Sequence, residues 1–226
     1  MADTPRQLPL ILPHEQALSR DDFLEGEANH AALEMIESWP DWPAPVTVLA
    51  GPVGSGKTHL VEIWRALSGA VVIQARDLTS EKVADLVAAG AVAVEDAHRG
   101  FDETALFHLI NAARQAGASL LITSRTWPSS WPLTLPDLVS RLRAATPVEI
   151  LEPDDGLLRC VLVKLFADRQ VAIDQGVVDY LVVRMERSLG VAGRLVAALD
   201  AEALAAGSRI TRSLAGKVLE RQSGKA

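Results

Sequence analysis

The sequence predicts an α/β protein, a parallel doubly wound sheet followed by a small all-helical unit, and three observations predict it. Short apolar runs alternate with helical stretches from Val46 to Ile150. A glycine-rich loop joins the first of those runs to the helix that follows it. Beyond Pro153 the strand-like runs stop and only helical windows remain.

Taken in order, residues 1–20 are interrupted by prolines and carry no periodic pattern, so they read as a flexible tail. A short helix is expected from Asn29 to Ser38, with Ala31, Ala32, Met35 and Ile36 on one side. Trp39-Pro40-Asp41-Trp42-Pro43-Ala44-Pro45 stops it, since proline lacks the N–H a helix needs and stiffens the connector. Five strand-like runs follow: VTVLA (46–50), VVIQA (71–75), AVAVE (91–95), SLLIT (119–123) and PVEI (147–150). The first four are almost continuously apolar, as strands covered on both faces must be. Helical stretches lie between them, around 57–67, 80–89 and 102–116. That alternation builds a parallel sheet. After Pro153, helical windows fall at about 154–169, 174–187, 190–206 and 211–221. Asp154, Asp174 and Thr211 are expected N-caps, and Gly207 an expected C-terminal stop. The division is therefore a tail (1–20), an α/β domain (21–152) and a helical domain (153–226), with no internal repeat.

Composition narrows the function classes. With 49% of 226 residues hydrophobic, the chain can bury a sizeable core and a second, smaller one. No window approaches ~18 uninterrupted apolar residues, so no membrane span is expected. The start, MADTPRQLPLILPHEQ, lacks a basic opening and a long apolar run, so no secretory signal is expected and a cytoplasmic location is. The single cysteine, Cys160, lies in LLRCVLVKLF and reads as a small buried filler. The net charge of −7 is uneven: residues 1–155 hold 11 basic against 22 acidic side chains, and residues 156–226 hold 11 against 7. Solvated surface explains this, and so would two modules of opposite charge meeting across a cleft or subunit contact. Neither part is basic enough to mark a nucleic-acid binder by itself.

The strongest motif is Gly51-Pro52-Val53-Gly54-Ser55-Gly56-Lys57-Thr58, a GxxxxGK[ST] pattern between a strand and a helix. Glycines let the backbone turn its N–H groups toward a β-phosphate, and the following helix aims its positive end at the same anion. Lys57 supplies a point charge and Thr58 a hydroxyl for Mg²⁺. A chance match in a chain this long is on the order of 1%. The second motif, Ala91-Val92-Ala93-Val94-Glu95-Asp96, is a buried strand ending in paired acids: Glu95 to help hold Mg²⁺, Asp96 to orient water. An acidic helix cap is the plainer alternative. The usual order is Asp then Glu, and the reversal bears on hydrolysis more than on binding.

Three further features are weaker alone. Thr123, at the end of Leu120-Leu121-Ile122-Thr123-Ser124-Arg125, is either a γ-phosphate sensor or part of a simple strand-end turn. Arg141, in Leu135-Pro136-Asp137-Leu138-Val139-Ser140-Arg141-Leu142, is either a solvated helix arginine or one projecting toward a neighbouring subunit's γ-phosphate. The tail segment Gln7-Leu8-Pro9-Leu10-Ile11-Leu12 puts four apolar side chains where nothing buries them unless they fold onto their own domain or dock in a partner's groove.

Together, in this order, the tail motif, Phe23-Leu24-Glu25-Gly26-Glu27-Ala28-Asn29, the glycine-rich loop, LLITSR, LPDLVSRL and the helical part resemble the AAA+ portion of the replication initiator DnaA, and in particular its Hda-type relatives. The resemblance covers nearly the whole chain. It implies a P-loop AAA+ fold with a C-terminal helical lid and ADP or ATP with Mg²⁺ as cofactors. It implies adenine contacts from Phe23, Leu24 and Asn29, and a nucleotide cradle of Gly51, Val53, Gly54, Ser55, Gly56, Lys57, Thr58 and His59, with Thr123 beyond. The family's lid arginine falls near Gly190 or Gly193, where Arg187 and Arg194 flank the position and Arg194 is the candidate. Arg141 matches the arginine finger. Gln7, Leu8, Leu10 and Leu12 match the hexapeptide that binds the DNA polymerase III sliding clamp.

The function so implied is a nucleotide-bound regulator, tethered to the clamp, that stimulates ATP hydrolysis by DnaA and so limits re-initiation. It would have weak intrinsic ATPase at most, touch DNA only indirectly, and allow a homodimer. Two features separate it from the initiator. Only Arg76 to Gly90 divide the second and third strands, too little for the initiator's DNA-remodelling insertion. The chain also runs only about five residues past its last predicted helix, without a helix-turn-helix for origin DNA. The competing functions are an autonomous AAA+ helicase loader or DNA remodeller and an initiator-like DNA-binding protein.

Overall fold

A computed structural model describes residues 18–223. The chain divides into two compact units, and their border falls between Asp154 and Asp155.

The first unit is an α/β layer structure. Five parallel strands, β1 (Val46–Ala50), β2 (Val71–Gln74), β3 (Ala91–Glu95), β4 (Ser119–Ser124) and β5 (Thr146–Glu149), lie in the order β2-β3-β4-β1-β5. Side chains alternate between the faces, as strand geometry requires. Val46, Val48, Val92, Val94, Leu120 and Ile122 face one core, shared with α3 (Val83–Ala88), α4 (Glu103–Ala116) and α5 (Pro136–Arg143). Leu49, Ala91, Ala93, Leu121 and Val148 face the other, shared with α1 (His30–Glu37) and α2 (Lys57–Ser68). The apolar runs of β1, β3 and β4 are therefore covered on both sides, as expected. β2 is not: it is an edge strand, and Val71 is exposed. β5, on the opposite edge, tolerates Pro147 because it pairs only with β1.

The strand order matters for function. The chain leaves β1 for the far edge at β2, returns through β3 and β4, and passes β1 to reach β5. In open parallel sheets, ligands sit outside the carboxyl ends of strands at such a reversal. Here those ends are Ala50, Glu95 and Ser124.

The second unit holds α6 (Asp155–Asp168), α7 (Gln175–Arg184), α8 (Leu189–Ala206) and α9 (Arg212–Ser223). Leu158, Leu162 and Phe166, Val178 and Leu181, Leu195 and Leu199, and Ala215 and Val218 form its core. Asp174 caps α7 by accepting from the Gly176 N–H at 2.8 Å, Ser188 caps α8 through Val191, and Thr211 Oγ1 accepts from the Leu214 N–H at 3.3 Å. Gly207 ends α8 with φ +57°. One expectation fails here. Cys160 is exposed, because α6 buries Leu158, Leu162 and Leu165 and the cysteine falls off that face. No helix among the described residues is long and apolar enough to cross a membrane.

Candidate functional site

The glycine-rich loop leaves β1 under tight constraint. The Gly51 N–H donates to the Ser124 carbonyl at 3.2 Å, fastening the loop to the end of β4. A Cβ at Gly51 would stand 2.8 Å from the Ile150 carbonyl oxygen, so no other residue fits without displacing backbone. Gly54 (φ +69°) and Gly56 (φ +102°) take left-handed conformations that side chains resist. The loop then delivers the chain into α2, whose first N–H groups have no partner within the helix.

Lys57 opens that helix and is 9% exposed. Its Nζ donates to the Gly51 and Pro52 carbonyls at 2.7 Å each and to Ser55 Oγ at 3.3 Å. Burial, reinforced by the charge of Arg125, lowers its pKa to about 8. Thr58 Oγ1 donates to Glu95 Oε1 at 2.9 Å, joining the loop to the end of β3. Burial pushes the Glu95 carboxyl above the usual carboxylate range, against the pull of the Thr58 hydrogen bond. A hydroxyl beside a carboxylate suits a hard divalent cation that takes its remaining oxygens from phosphate and water. The Thr58 hydroxyl and the Glu95 carboxylate, brought together by their hydrogen bond, are the candidate protein ligands for such a cation.

Asp96 differs from its neighbour. Its backbone is left-handed (φ +59°), and its carboxylate lies 3.1 Å from Arg99 Nε and 3.9 Å from His98 Nδ1. Its N–H donates to Thr123 Oγ1 at 3.1 Å, so the buried Thr123 hydroxyl stitches β4 to the turn after β3. Both ring nitrogens of His98 are buried without a hydrogen-bond partner among the described residues, and burial lowers the pKa of the ring. The loop, Glu95, Asp96 and Thr123 thus converge at one end of the sheet.

The other candidates lie around or away from that point. Phe23 is buried, with its ring edge-on to His59 at 5.1 Å. Since His59 follows Thr58, segment 23–29 lies over the first turn of α2. The Asn29 amide accepts from the Gly26 N–H at 2.8 Å and donates to the Leu24 carbonyl at 2.9 Å, closing that segment on itself. Leu24 is half-buried, Ser55 is buried, and Val53 is exposed on the loop. Arg141 is exposed in the last turn of α5 and makes no hydrogen bond or ion pair among the described residues. The root of α5 is fixed: Leu138 and Leu142 are buried, and the Glu103 carboxylate accepts from the Thr134 N–H and hydroxyl at 3.0 Å and the Leu135 N–H at 2.8 Å. In the helical unit Arg194 is exposed on α8, whereas Arg187 pairs with Asp155 at 2.6 Å. Gln7, Leu8, Leu10 and Leu12 lie outside the described residues. Sequence reasoning gave no role to Arg125 or His98. Arg125 stood in the quoted LLITSR, but no spacing rule marks either.

Comparison with known proteins gives a relationship without a family model, since none matches. The initiator DnaA of Caulobacter sp. (strain K31) is 25% identical over 174 residues, 64% of this chain and 35% of that protein. Domain III of the Thermotoga maritima initiator DnaA has 20% identity and a TM-score of 0.72, covering 93% of this chain and 98% of that one. An initiator DnaA bound to AMPPCP and single-stranded DNA has 20% identity and a TM-score of 0.67, covering 82% of this chain and 65% of that one. The chain is DnaA-related and has the AAA+ fold. It spans about a third of the Caulobacter relative.

Proposed function

We propose that this chain is a nucleotide-holding AAA+ regulator of replication initiation, which binds ADP or ATP with Mg²⁺ and uses Arg141 to stimulate ATP hydrolysis by DnaA. The single observation that carries the nucleotide reading is the Thr58–Glu95 hydrogen bond. It joins a phosphate-loop hydroxyl to a strand-end carboxylate 37 residues later, at the carboxyl ends of parallel strands. A structural neighbour that binds AMPPCP agrees with it.

In this reading the loop N–H groups and Lys57 bind the phosphates, and Lys57 exchanges the Gly51 and Pro52 carbonyls for phosphate oxygens. Thr58 and Glu95 hold Mg²⁺. When bound, the cation neutralises charge between the phosphates. Phe23, Leu24 and Asn29 shape the base side of the site, and Thr123 fixes the Asp96 backbone. Asp96 is a poor activator of water because Arg99 already engages its carboxylate, which fits weak hydrolysis by the chain itself. Arg194, the candidate lid arginine, is exposed on α8 of the helical unit. The tail residues Gln7, Leu8, Leu10 and Leu12 tether the chain to the sliding clamp, where avidity on a ring raises a modest affinity.

The test is ATP hydrolysis by purified DnaA with clamp loaded on DNA. Addition of this chain should accelerate it, and replacing Gln7, Leu8 and Leu10 by alanine should remove the acceleration and clamp binding without changing the melting curve. A lowered melting temperature with clamp binding intact would instead mean that the tail packs on its own domain.

A further inference from the structure

We propose that Gln74 is the positioning residue for the carboxylate at the end of β3: it holds one oxygen of Glu95 so that the other faces the cation bound with the phosphates. The inference deepens the nucleotide reading above and rests on it, adding to Thr58 and Glu95 a residue that touches neither phosphate nor cation.

Strand register places the residue. Gln74 ends β2, Glu95 ends β3, and the two are direct partners across that parallel pair. Partners in register send their side chains to the same face of the sheet. Here it is the face covered by α1 and α2, toward which Ala91 and Ala93 of β3 and Val72 of β2 also pack. Thr58, in the first turn of α2, meets Glu95 on that side. The first three residues of β2 are apolar, and its one polar side chain stands level with the acid.

The hydrogen bonds give the placement its meaning. Glu95 Oε1 accepts from Thr58 Oγ1 at 2.9 Å, and Glu95 Oε2 accepts from Gln74 Nε2 in a longer bond of 3.4 Å. The two donors differ in kind. A hydroxyl carries lone pairs as well as a proton, so Thr58 can turn them to a cation and ligate it beside Oε1. An amide N–H₂ has no lone pair to offer, so Gln74 stays on Oε2 when the cation arrives. The last torsion of a glutamate side chain is broad, and a carboxylate left to itself presents either oxygen. With Oε2 held, one orientation is favoured, and Mg²⁺, which demands near-ideal octahedral geometry, gains from it. Glu95 is only 8% exposed, so water is a poor substitute for the amide. A carboxylate at position 74 would repel Glu95, whereas the neutral amide donates to it.

The test is titration of labelled ADP into wild type, Gln74→Met, Glu95→Gln and the double variant, each with Mg²⁺ and with the cation chelated, beside their melting curves. Methionine keeps the length of the side chain and removes the donor. In Gln74→Met the strengthening of ADP binding by Mg²⁺ should fall roughly fivefold, the net worth of an ordinary hydrogen bond, and by less than in Glu95→Gln. Binding without Mg²⁺ should show little of that loss. In the Glu95→Gln background the same substitution should cost nothing further, because the amide acts only through the carboxylate. Equal weakening with and without Mg²⁺, as from a strand end that has merely loosened, would overturn the proposal. So would a double variant that compounds the two single losses in full. A wild type that couples ADP to Mg²⁺ but keeps its coupling in Gln74→Met refutes Gln74 alone. A wild type that binds no ADP, or binds it without regard to Mg²⁺, refutes the site reading and this inference with it.

Discussion

The phosphate loop and helix α5 belong to the same unit and treat their charges in opposite ways. In the loop, buried Lys57 is held by three oxygens of its own chain, and Thr58 is bonded to buried Glu95. On α5 the backbone is anchored through Glu103, Leu138 and Leu142, yet exposed Arg141 makes no hydrogen bond or ion pair among the described residues. The difference teaches how to read a cation. One enclosed with chain-mates serves a ligand held by its own chain. One fixed at the root and unpaired at the tip is presented outward.

Arg141→Ala breaks this contrast most sharply. Nucleotide affinity and melting temperature should be unchanged, while acceleration of DnaA's ATP hydrolysis should fall ~10³-fold or more. Undiminished acceleration would return Arg141 to solvated surface. Glu95→Gln probes the enclosed side, keeping the shape but removing the charge. The strengthening of nucleotide binding by Mg²⁺ should drop by about tenfold, with Mg²⁺-free binding little changed. An equal drop with and without Mg²⁺ would refute Glu95 as a cation ligand.

Acidity sharpens the comparison further. Lys57 titrates at about 8 against an ordinary 10.5. Free protein therefore loses this proton as pH rises through about 8, whereas bound phosphate retains it. ADP affinity should be level below that pH and fall roughly fourfold by pH 8.5. The stability effect has the opposite sign. Between about 8 and 10.5 the unfolded chain holds the lysine proton and the folded chain does not, so this residue makes nucleotide-free protein more stable as pH rises through that window. A flat affinity profile would show that Lys57 carries no charge to the phosphates. The smallest effect is expected at the α5 anchor. Hydrogen bonds from Leu135 and Thr134 hold the Glu103 carboxyl below its usual range, so this contact is present above the ordinary carboxylate pKa and lost as pH falls through the lowered one. Glu103→Gln should reduce stimulation of DnaA only partly, with ADP binding intact. Stimulation equal to wild type would mean that α5 needs no such anchor.

How much of this was legible varies with the physics. β1 and β3 appear at the residues the sequence named, because a strand covered on both faces must be apolar throughout. β2 carries a similar run on an edge, and a run alone does not reveal which strand lies outermost. Cys160 shows the same limit in a helix: an apolar stretch states composition, while the spacing of Leu158, Leu162 and Leu165 decides the buried face. The loop was legible since close approach at Gly51 and positive φ at Gly54 and Gly56 demand glycine. The meeting of Thr58 and Glu95 was legible only as a shared role toward Mg²⁺; their direct hydrogen bond was not, because strand order, rather than local spacing, brings the two together. Caps such as Asp174 and Thr211 could be read from the chain, but which helices of the second unit pair could not, since many apolar stripes fit one another.

The central claim is that the enclosed loop around Lys57 holds a nucleotide, so the decisive measurement is titration of labelled ADP and ATP into wild type and Lys57→Ala. Wild type should bind with a saturable, Mg²⁺-sensitive isotherm, and Lys57→Ala should lose binding by roughly a hundredfold or more while keeping its melting curve. Equal affinity in the two proteins, or no binding by wild type, would contradict the account.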